Sequence, residues 1–347
     1  MQFTLKHITS CAVAVSFVAI VATCAANTSS SSIPKRLMPA RPADPHKVLS
    51  NEACVKCHAP SVEVWRRTPH AKTFDELHRR PEAKAIAKKL GLQSIKHEGR
   101  CVACHYTQQA KPNDDPHVIA GISCESCHGA AKDWNPIHHD YGGEGLKRID
   151  ETPEHRLQRI AASIEAGMRN PANVYLVAQS CLRCHTTADE ELVNVGGHSA
   201  GTLDFEFVSW SQGTIRHNFV LSGGKENQVR SQKKLRVMFV AGMIAELEAA
   251  LRGTAVATQK AKYGVTVAKR AARAATRLKS VAQKVDSPYL DEILQIFDTV
   301  SLKLNNEKPL VAAADKIAVL GYKFAEKETG DTFDSLDQFI PTPDRYK

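Results

Sequence analysis

The chain has 347 residues, 43% hydrophobic but only 6% aromatic, and its formal charge is +9. This length suits one large domain or two ordinary ones, and the charge favours acidic partners or anionic surfaces. No nucleic-acid-binding motif accompanies the positive charge, so nucleic acid is not an expected partner.

The N-terminal residues 1–26 are predicted to be a signal peptide. Their apolar run, residues 11–21, is too short for a confident membrane span. The sequence VATC at residues 21–24 resembles a lipobox, so a lipid anchor on Cys24 is the alternative. Either interpretation exports the chain, and a periplasmic location is expected. The Ser- and Pro-rich residues 27–48 are predicted to be a linker.

Four C-x-x-C-H motifs dominate the region that follows. Two thiols at this spacing can add to the two vinyl groups of one haem, and the histidine then lies under the iron. Paired zinc knuckles are the alternative, but a site of four thiolates needs no histidine after every pair. We therefore predict four covalently attached haem c groups. Their attachment residues are Cys54, Cys57, His58, Cys101, Cys104, His105, Cys124, Cys127, His128, Cys181, Cys184 and His185.

Residues 49–224 are predicted to form this tetrahaem domain, which is loop-rich with short helices. Helical composition covers residues 61–67 and 72–90, and Gly91 is a plausible stop. The remaining cysteines, Cys11 and Cys24, lie near the N-terminus, so no disulfide framework is expected.

A low-spin c-type haem needs a sixth ligand, which is usually histidine or methionine. Few methionines compete, and those at 238 and 243 have the spacing of helix core residues. Bis-histidine ligation is therefore expected for most of the irons. Ten histidines lie outside the motifs and the signal peptide: His46, His70, His78, His97, His117, His138, His139, His155, His198 and His217.

The sequence resembles the tetrahaem cytochrome c-554 family, which is associated with nitrogen-compound oxidation, over about residues 54–217. The run WRRTPHAK at residues 65–72 and the run GISCESCHG at residues 121–129 resemble family motifs. Three histidine spacings also agree. His70 follows His58 by twelve residues, His138 follows His128 by ten, and His217 follows His185 by thirty-two.

The resemblance implies ligands for three haems. His138 would cap the first haem, His70 the third and His217 the fourth, with His139 as a rival to His138. The second haem, on His105, would be five-coordinate with an open face.

Histidines near the second motif leave other arrangements of this haem open. His117 or another residue could close the distal face, whereas His97 is too close to Cys101 to reach it. The sequence assigns the other four histidines to the surface or to haem propionates: His46, His78, His155 and His198.

Residues 225–347 are predicted to form an antiparallel helical bundle with an extended tail. Apolar residues recur at helical spacing from Leu235 to Leu251, and Gly253 is expected to end that helix. Further helices are expected over residues 255–285, from Pro288 with Ser287 as its N-cap, and from Pro309 to about Lys327. The fold class is therefore mainly α.

Basic residues are dense between positions 225 and 284. They either form a solvated helix face or a docking surface for an acidic redox partner.

Two functions fit this sequence. The first is an exported electron carrier that works between periplasmic redox proteins, with a quinone-linked membrane acceptor as a further expected partner. The alternative is an enzyme that reduces nitric oxide, or acts on another small nitrogen compound, at an open second haem. The electron carrier is favoured, and no catalytic acid or base is predicted.

Overall fold

Helices make up nearly all regular structure in residues 39–347, the part of the chain that this computed structural model describes. This confirms the predicted mainly α class. The predicted signal peptide, Cys24 and most of the predicted linker lie outside the described residues. No helix within residues 39–347 is both long and apolar enough to cross a membrane.

The region with the haem motifs consists of short helices joined by loops and one small hairpin. Strand β1, Thr107–Gln109, pairs antiparallel with strand β2, His117–Ala120. The helices are α1 Asn51–Arg66, α2 Pro69–Glu76, α3 Pro81–Lys89, α4 Gly99–His105, α5 Cys124–His128, α6 Asn135–His138, α7 Pro153–Glu165, α8 Val174–His185, α9 Glu190–Asn194 and α10 Phe207–Ser211.

Prolines set several of these helix starts. Pro69 begins α2 directly after Thr68, whose side chain accepts a hydrogen bond from the Ala71 N–H. Pro81 begins α3 and divides the helix predicted over residues 72–90. Proline has no N–H to donate and disfavours helical backbone at the residue before it. Arg80 is accordingly extended, and the helix is interrupted there.

Four helices follow in the C-terminal segment: α11 Gln232–Ala255, α12 Lys262–Ala282, α13 Pro288–Asp298 and α14 Glu307–Lys327. The first of them, α11, packs against α8, α12 and α14, which buries it on nearly all sides. The predicted stop at Gly253 is wrong. The helix continues to Ala255, and the Gly253 carbonyl accepts a hydrogen bond from the Tyr263 hydroxyl.

Residues 340–347 were predicted to be an extended tail, but they contain a 3-10 turn at Pro343–Arg345. Another 3-10 segment, Asp334–Phe339, precedes them. Ser287 does precede α13, as predicted.

The helix that ends in the fourth motif shares a core with the C-terminal helices. Tyr175 and Leu182 of α8 are fully buried in one apolar cluster with residues of α11 and α14. The Tyr175 ring lies so close to Gly321 that a Cβ there would be 2.4 Å from a ring carbon. The Tyr175 hydroxyl also donates to the buried Glu248 carboxylate. The position of the fourth motif therefore depends on packing against the C-terminal segment.

Candidate haem-binding site

Each C-x-x-C-H histidine lies where a helix ends or breaks. His105, His128 and His185 are the last residues of α4, α5 and α8. His58 lies inside α1, at a break where its backbone is non-helical, and Pro60 follows it. In every motif, a short helical turn thus presents both thiols and the imidazole together.

Every motif histidine faces a second histidine from outside the motifs. The ring centroids of His58 and His138 are 6.4 Å apart. The other pairs are His70 with His185 at 6.3 Å, His105 with His198 at 6.2 Å, and His128 with His217 at 6.0 Å.

These distances fit an iron held between two imidazoles. A metal bound to two imidazoles has bonds of about 2 Å to each nitrogen, which places the ring centroids about 6 Å apart. Ring centroids in ordinary aromatic contacts are also about 4.5–7 Å apart. The fact that each partner is a histidine is therefore more informative than the distance. All four motif histidines have a histidine partner, as bis-histidine ligation of four haems requires.

Burial keeps the motif imidazoles neutral. Burial, together with the smaller effect of neighbouring histidines, lowers the pKa of His105, His128 and His185 to about 4. Burial also lowers the pKa of His58. A metal-ligating histidine must be deprotonated on the ligating nitrogen. The rings are therefore in the protonation state that iron ligation needs.

The first pair agrees with the arrangement that the sequence resemblance implied. His138 faces His58, and the rival His139 lies exposed beside it. The Arg159 guanidinium donates to the His138 carbonyl oxygen at 2.6 Å. Arg159 is fixed in turn by Glu151, and this hydrogen bond lowers the pKa of the Glu151 carboxyl to about 2.

Two other pairs are exchanged relative to the sequence expectation. His70 was expected at the third motif but faces His185 of the fourth, and His217 faces His128 of the third rather than His185. The Thr73 hydroxyl of α2 lies 2.8 Å from the His105 carbonyl oxygen, which holds α2 against α4. Spacing along the chain limits how far a ligand can reach, but not which neighbouring helix it faces.

The second motif has a partner that the sequence analysis missed. His198, which was assigned to the surface or to propionates, is half-buried and faces His105. Its backbone N–H donates to Leu192, and the Thr202 N–H donates to the His185 carbonyl oxygen at 2.8 Å. His117 instead lies exposed in β2, opposite Gln109. Only the glycines around residues 196–201 hinted at a tight loop here.

The motifs contact one another in pairs. The Cys54 and Cys124 thiols are close enough to affect each other's ionisation, which lowers the pKa of Cys54 and raises that of Cys124. The Cys104 and Cys184 thiols are likewise neighbours, and the Cys184 thiol lowers the pKa of Cys104 to about 7. The first motif thus lies against the third, and the second against the fourth.

A further contact joins these two pairs. The Ser180 hydroxyl, just before the fourth motif, donates to the Cys127 carbonyl oxygen at 2.8 Å. Within the pair formed by the second and fourth motifs, Arg183 of the fourth also donates to the Ala103 carbonyl oxygen of the second. The spatial order of the motifs is therefore first, third, fourth, second.

Comparison with known proteins bears on the first three motifs. The family model described as cytochrome c554 and c-prime matches residues 53–129. Over these residues, the chain resembles the cytochrome c554 family. This confirms the resemblance seen in the sequence, and it indicates a c-type cytochrome with covalently bound haem.

A curated relative of the same kind is cytochrome c-554 of Nitrosomonas europaea. It is 30% identical over 118 residues, which cover 30% of this chain and 48% of the relative. The chain thus spans about half the length of the curated relative that it matches. No solved structure matches the chain.

Within the part similar to the cytochrome c554 family, Glu125 joins the third motif to the chain before the first. It is 1% exposed, and its carboxylate accepts hydrogen bonds from the N–H groups of Leu49, Ser50 and Ala131 at 2.7–2.9 Å. Burial raises the pKa of this carboxyl, and the three N–H donors partly offset the rise. One side chain therefore fixes the approach of the first motif to the third.

Replacement of Glu125 by alanine should lower the free energy of unfolding by about 2–4 kcal/mol, because three buried donors lose a charged acceptor. Denaturant unfolding of the haem-loaded protein measures this change. Glu63→Ala is the matched control, since Glu63 is exposed and forms surface ion pairs with Arg66 and Arg67, and it should be nearly neutral. Equal unfolding midpoints for the two variants would contradict the assigned role.

The loop that carries His217 is held by the C-terminal tail. The Thr214 N–H donates to the Lys347 carbonyl oxygen at 2.7 Å, and the Lys347 N–H donates to the Ser209 carbonyl oxygen at 3.0 Å. Gly213 lies in this contact, where a Cβ would be 1.8 Å from the Lys347 oxygen. Only glycine fits at this approach of two backbone segments.

Gly213→Ala should therefore displace the tail and weaken the placement of His217 against His128. We expect part of one haem to become high-spin, which electron paramagnetic resonance (EPR) of the oxidised protein would detect. Gly99→Ala is the control, since no atom lies within 4 Å of a Cβ there. A fully low-spin Gly213→Ala protein would show that the tail does not position His217.

Proposed function

We propose that the chain is an exported electron-transfer cytochrome with four covalently attached haem c groups, each ligated by two histidines. The thiols of Cys54, Cys57, Cys101, Cys104, Cys124, Cys127, Cys181 and Cys184 would attach them. The histidine pairs that would hold the irons are His58 with His138, His105 with His198, His128 with His217, and His185 with His70. When bound, a haem takes up and releases one electron at its iron.

The contacts between motifs support a path for electrons. The first and third motifs touch through Cys54 and Cys124, and the fourth and second through Cys184 and Cys104. The contact between Ser180 and Cys127 links the two pairs. The first motif stands at one end of the spatial order of the motifs, and its Cys57 is exposed. The first motif is therefore the proposed point of exchange with a redox partner.

The pair of His105 and His198 favours an electron carrier over an enzyme. An iron with two histidine ligands has no position left for a small molecule. The alternative function, reduction of nitric oxide or reaction with another nitrogen compound, needs an open second haem. His198 lies where it would close that face.

EPR of the oxidised protein, before and after addition of nitric oxide, tests this choice. We expect four low-spin haems and no high-spin signal, and we expect the spectrum to stay the same when nitric oxide is added. A high-spin signal that disappears with nitric oxide would mean that the second haem is open, and the enzyme would then be the better hypothesis. Mass spectrometry of the intact chain would count the attached haems.

We further propose periplasmic redox proteins as partners, with lipid anchoring through Cys24 as the alternative to a free periplasmic chain. The net charge of +9 favours an acidic partner. Helix α12 exposes Lys262, Lys269 and Lys279 to solvent, which supports docking there. The rate of electron exchange with such a partner should then fall as the salt concentration rises.

A further inference from the structure

A buried arginine from the C-terminal segment reaches the fourth motif. Arg270 of α12 is 2% exposed. Its Nε donates to Glu246 at 3.1 Å, and its Nη1 donates to the His185 carbonyl oxygen at 2.9 Å. Its Nη2 is buried and has no hydrogen-bond partner in the described part of the chain. Buried polar groups normally have a partner, so this N–H group indicates an acceptor that the protein itself does not supply.

The surroundings of Arg270 carry excess positive charge. Glu246 is 3% exposed and also accepts from Arg273 at 3.5 Å and from Arg277 at 3.0 Å. One carboxylate thus faces three guanidinium groups. A second carboxyl, Glu206, lies near enough to Arg277 to interact with its charge. Even when both carboxyls are ionised, one positive charge remains, and an acidic ligand would neutralise it.

This cluster lies directly against the end of the fourth motif. A Cβ at Gly201 would be 2.5 Å from the His185 oxygen and 2.8 Å from Arg270 Nη1, so the loop after His198 fits only because residue 201 is glycine. The Arg270 guanidinium also contacts the backbone of the motif histidine directly, since its Nη1 donates to the His185 carbonyl oxygen at 2.9 Å. The imidazole proposed to bind iron therefore lies within the field of this guanidinium.

We propose that Arg270 uses its free N–H to hold a carboxylate of the haem attached at the fourth motif, and that its positive charge raises the reduction potential of that haem. The inference rests on the proposed function, because it needs a haem at Cys181 and Cys184. A nearby positive charge favours the reduced state, since reduction adds an electron, and burial strengthens the effect. Arg270 is then a positioning residue that the C-terminal helices contribute to the electron path.

Spectroelectrochemical titration of the haem-loaded protein tests the proposal. Arg270→Gln should reduce the equilibrium constant for reduction of one of the four haems at least tenfold. For a one-electron couple, this lowers the reduction potential by about 59 mV. Arg270→Lys keeps the charge and should lower it less. Glu246→Gln removes the neutralising charge and should raise the same potential. If the Arg270→Gln protein does not fold, the direction in which Glu246→Gln shifts the reduction potential tests the inference instead.

Arg273→Gln is the matched control, because Arg273 contacts the same carboxylate but its side chain is 45% exposed. It should leave all four potentials nearly unchanged. Unchanged potentials in Arg270→Gln, a shift of equal size in Arg273→Gln, or a lowered potential in Glu246→Gln would overturn the inference. Fewer than four haems in the unmodified protein would instead overturn the proposed function, and mass spectrometry distinguishes the two failures.

Discussion

Replacement of His198 by alanine is expected to convert one of four low-spin haems into a high-spin haem that binds nitric oxide. The His198 ring lies 6.2 Å from the His105 ring, between centroids. Alanine removes the imidazole and leaves the second motif and its thiols unchanged. EPR of the oxidised protein should then show a new high-spin signal, and that signal should disappear when nitric oxide is added.

His117→Ala is the control for this experiment. His117 was the other histidine considered for the second haem, and it lies exposed in β2. It should leave all haems low-spin. If His117→Ala produced the high-spin haem and His198→Ala did not, the ligand proposed from the structure would be wrong. High-spin haem already present in the unmodified protein would show that His198 does not ligate iron.

Removal of residues 225–347 should abolish stable haem attachment at the fourth motif. Helix α8 buries Val174, Tyr175, Ala178 and Leu182 in the cluster that it shares with the C-terminal helices. Exposure of a large apolar side chain costs about 1.5–3 kcal/mol, and Tyr175 and Leu182 would both be exposed. The truncated chain would also lack Arg270, which donates to the His185 carbonyl oxygen.

Mass spectrometry of the truncated chain, together with circular dichroism, measures this effect. Fewer than four haems and a loss of helical signal are expected. Val265→Asp in the full chain is the control, since Val265 is 39% exposed on α12, and it should retain all haems. Four haems on a folded fragment would instead support the predicted boundary between residues 224 and 225 as one between independent domains.

The sequence predicted the attachment residues because covalent haem chemistry is local. Two thiols and one imidazole within five residues can serve a single haem, whatever the rest of the chain does. The C-terminal helices were also predictable, because apolar side chains recur there at helical spacing and Ser287 precedes Pro288. The errors at Pro81 and Gly253 concern helix ends, where one backbone contact decides whether a helix continues.

Tertiary structure alone decided which histidine faces which motif. His70 and His217 were both predicted as ligands, but their partners are exchanged, and His198 was not predicted. The histidines that face the motifs come from segments that are distant in the chain, so their pairing depends on how α2, α4 and α8 pack. The charge cluster of Arg270 and Glu246 likewise exists only where α11, α12 and α8 meet. The sequence by itself therefore determined where the C-x-x-C-H motifs lie, and folding determined which histidine faces each of them.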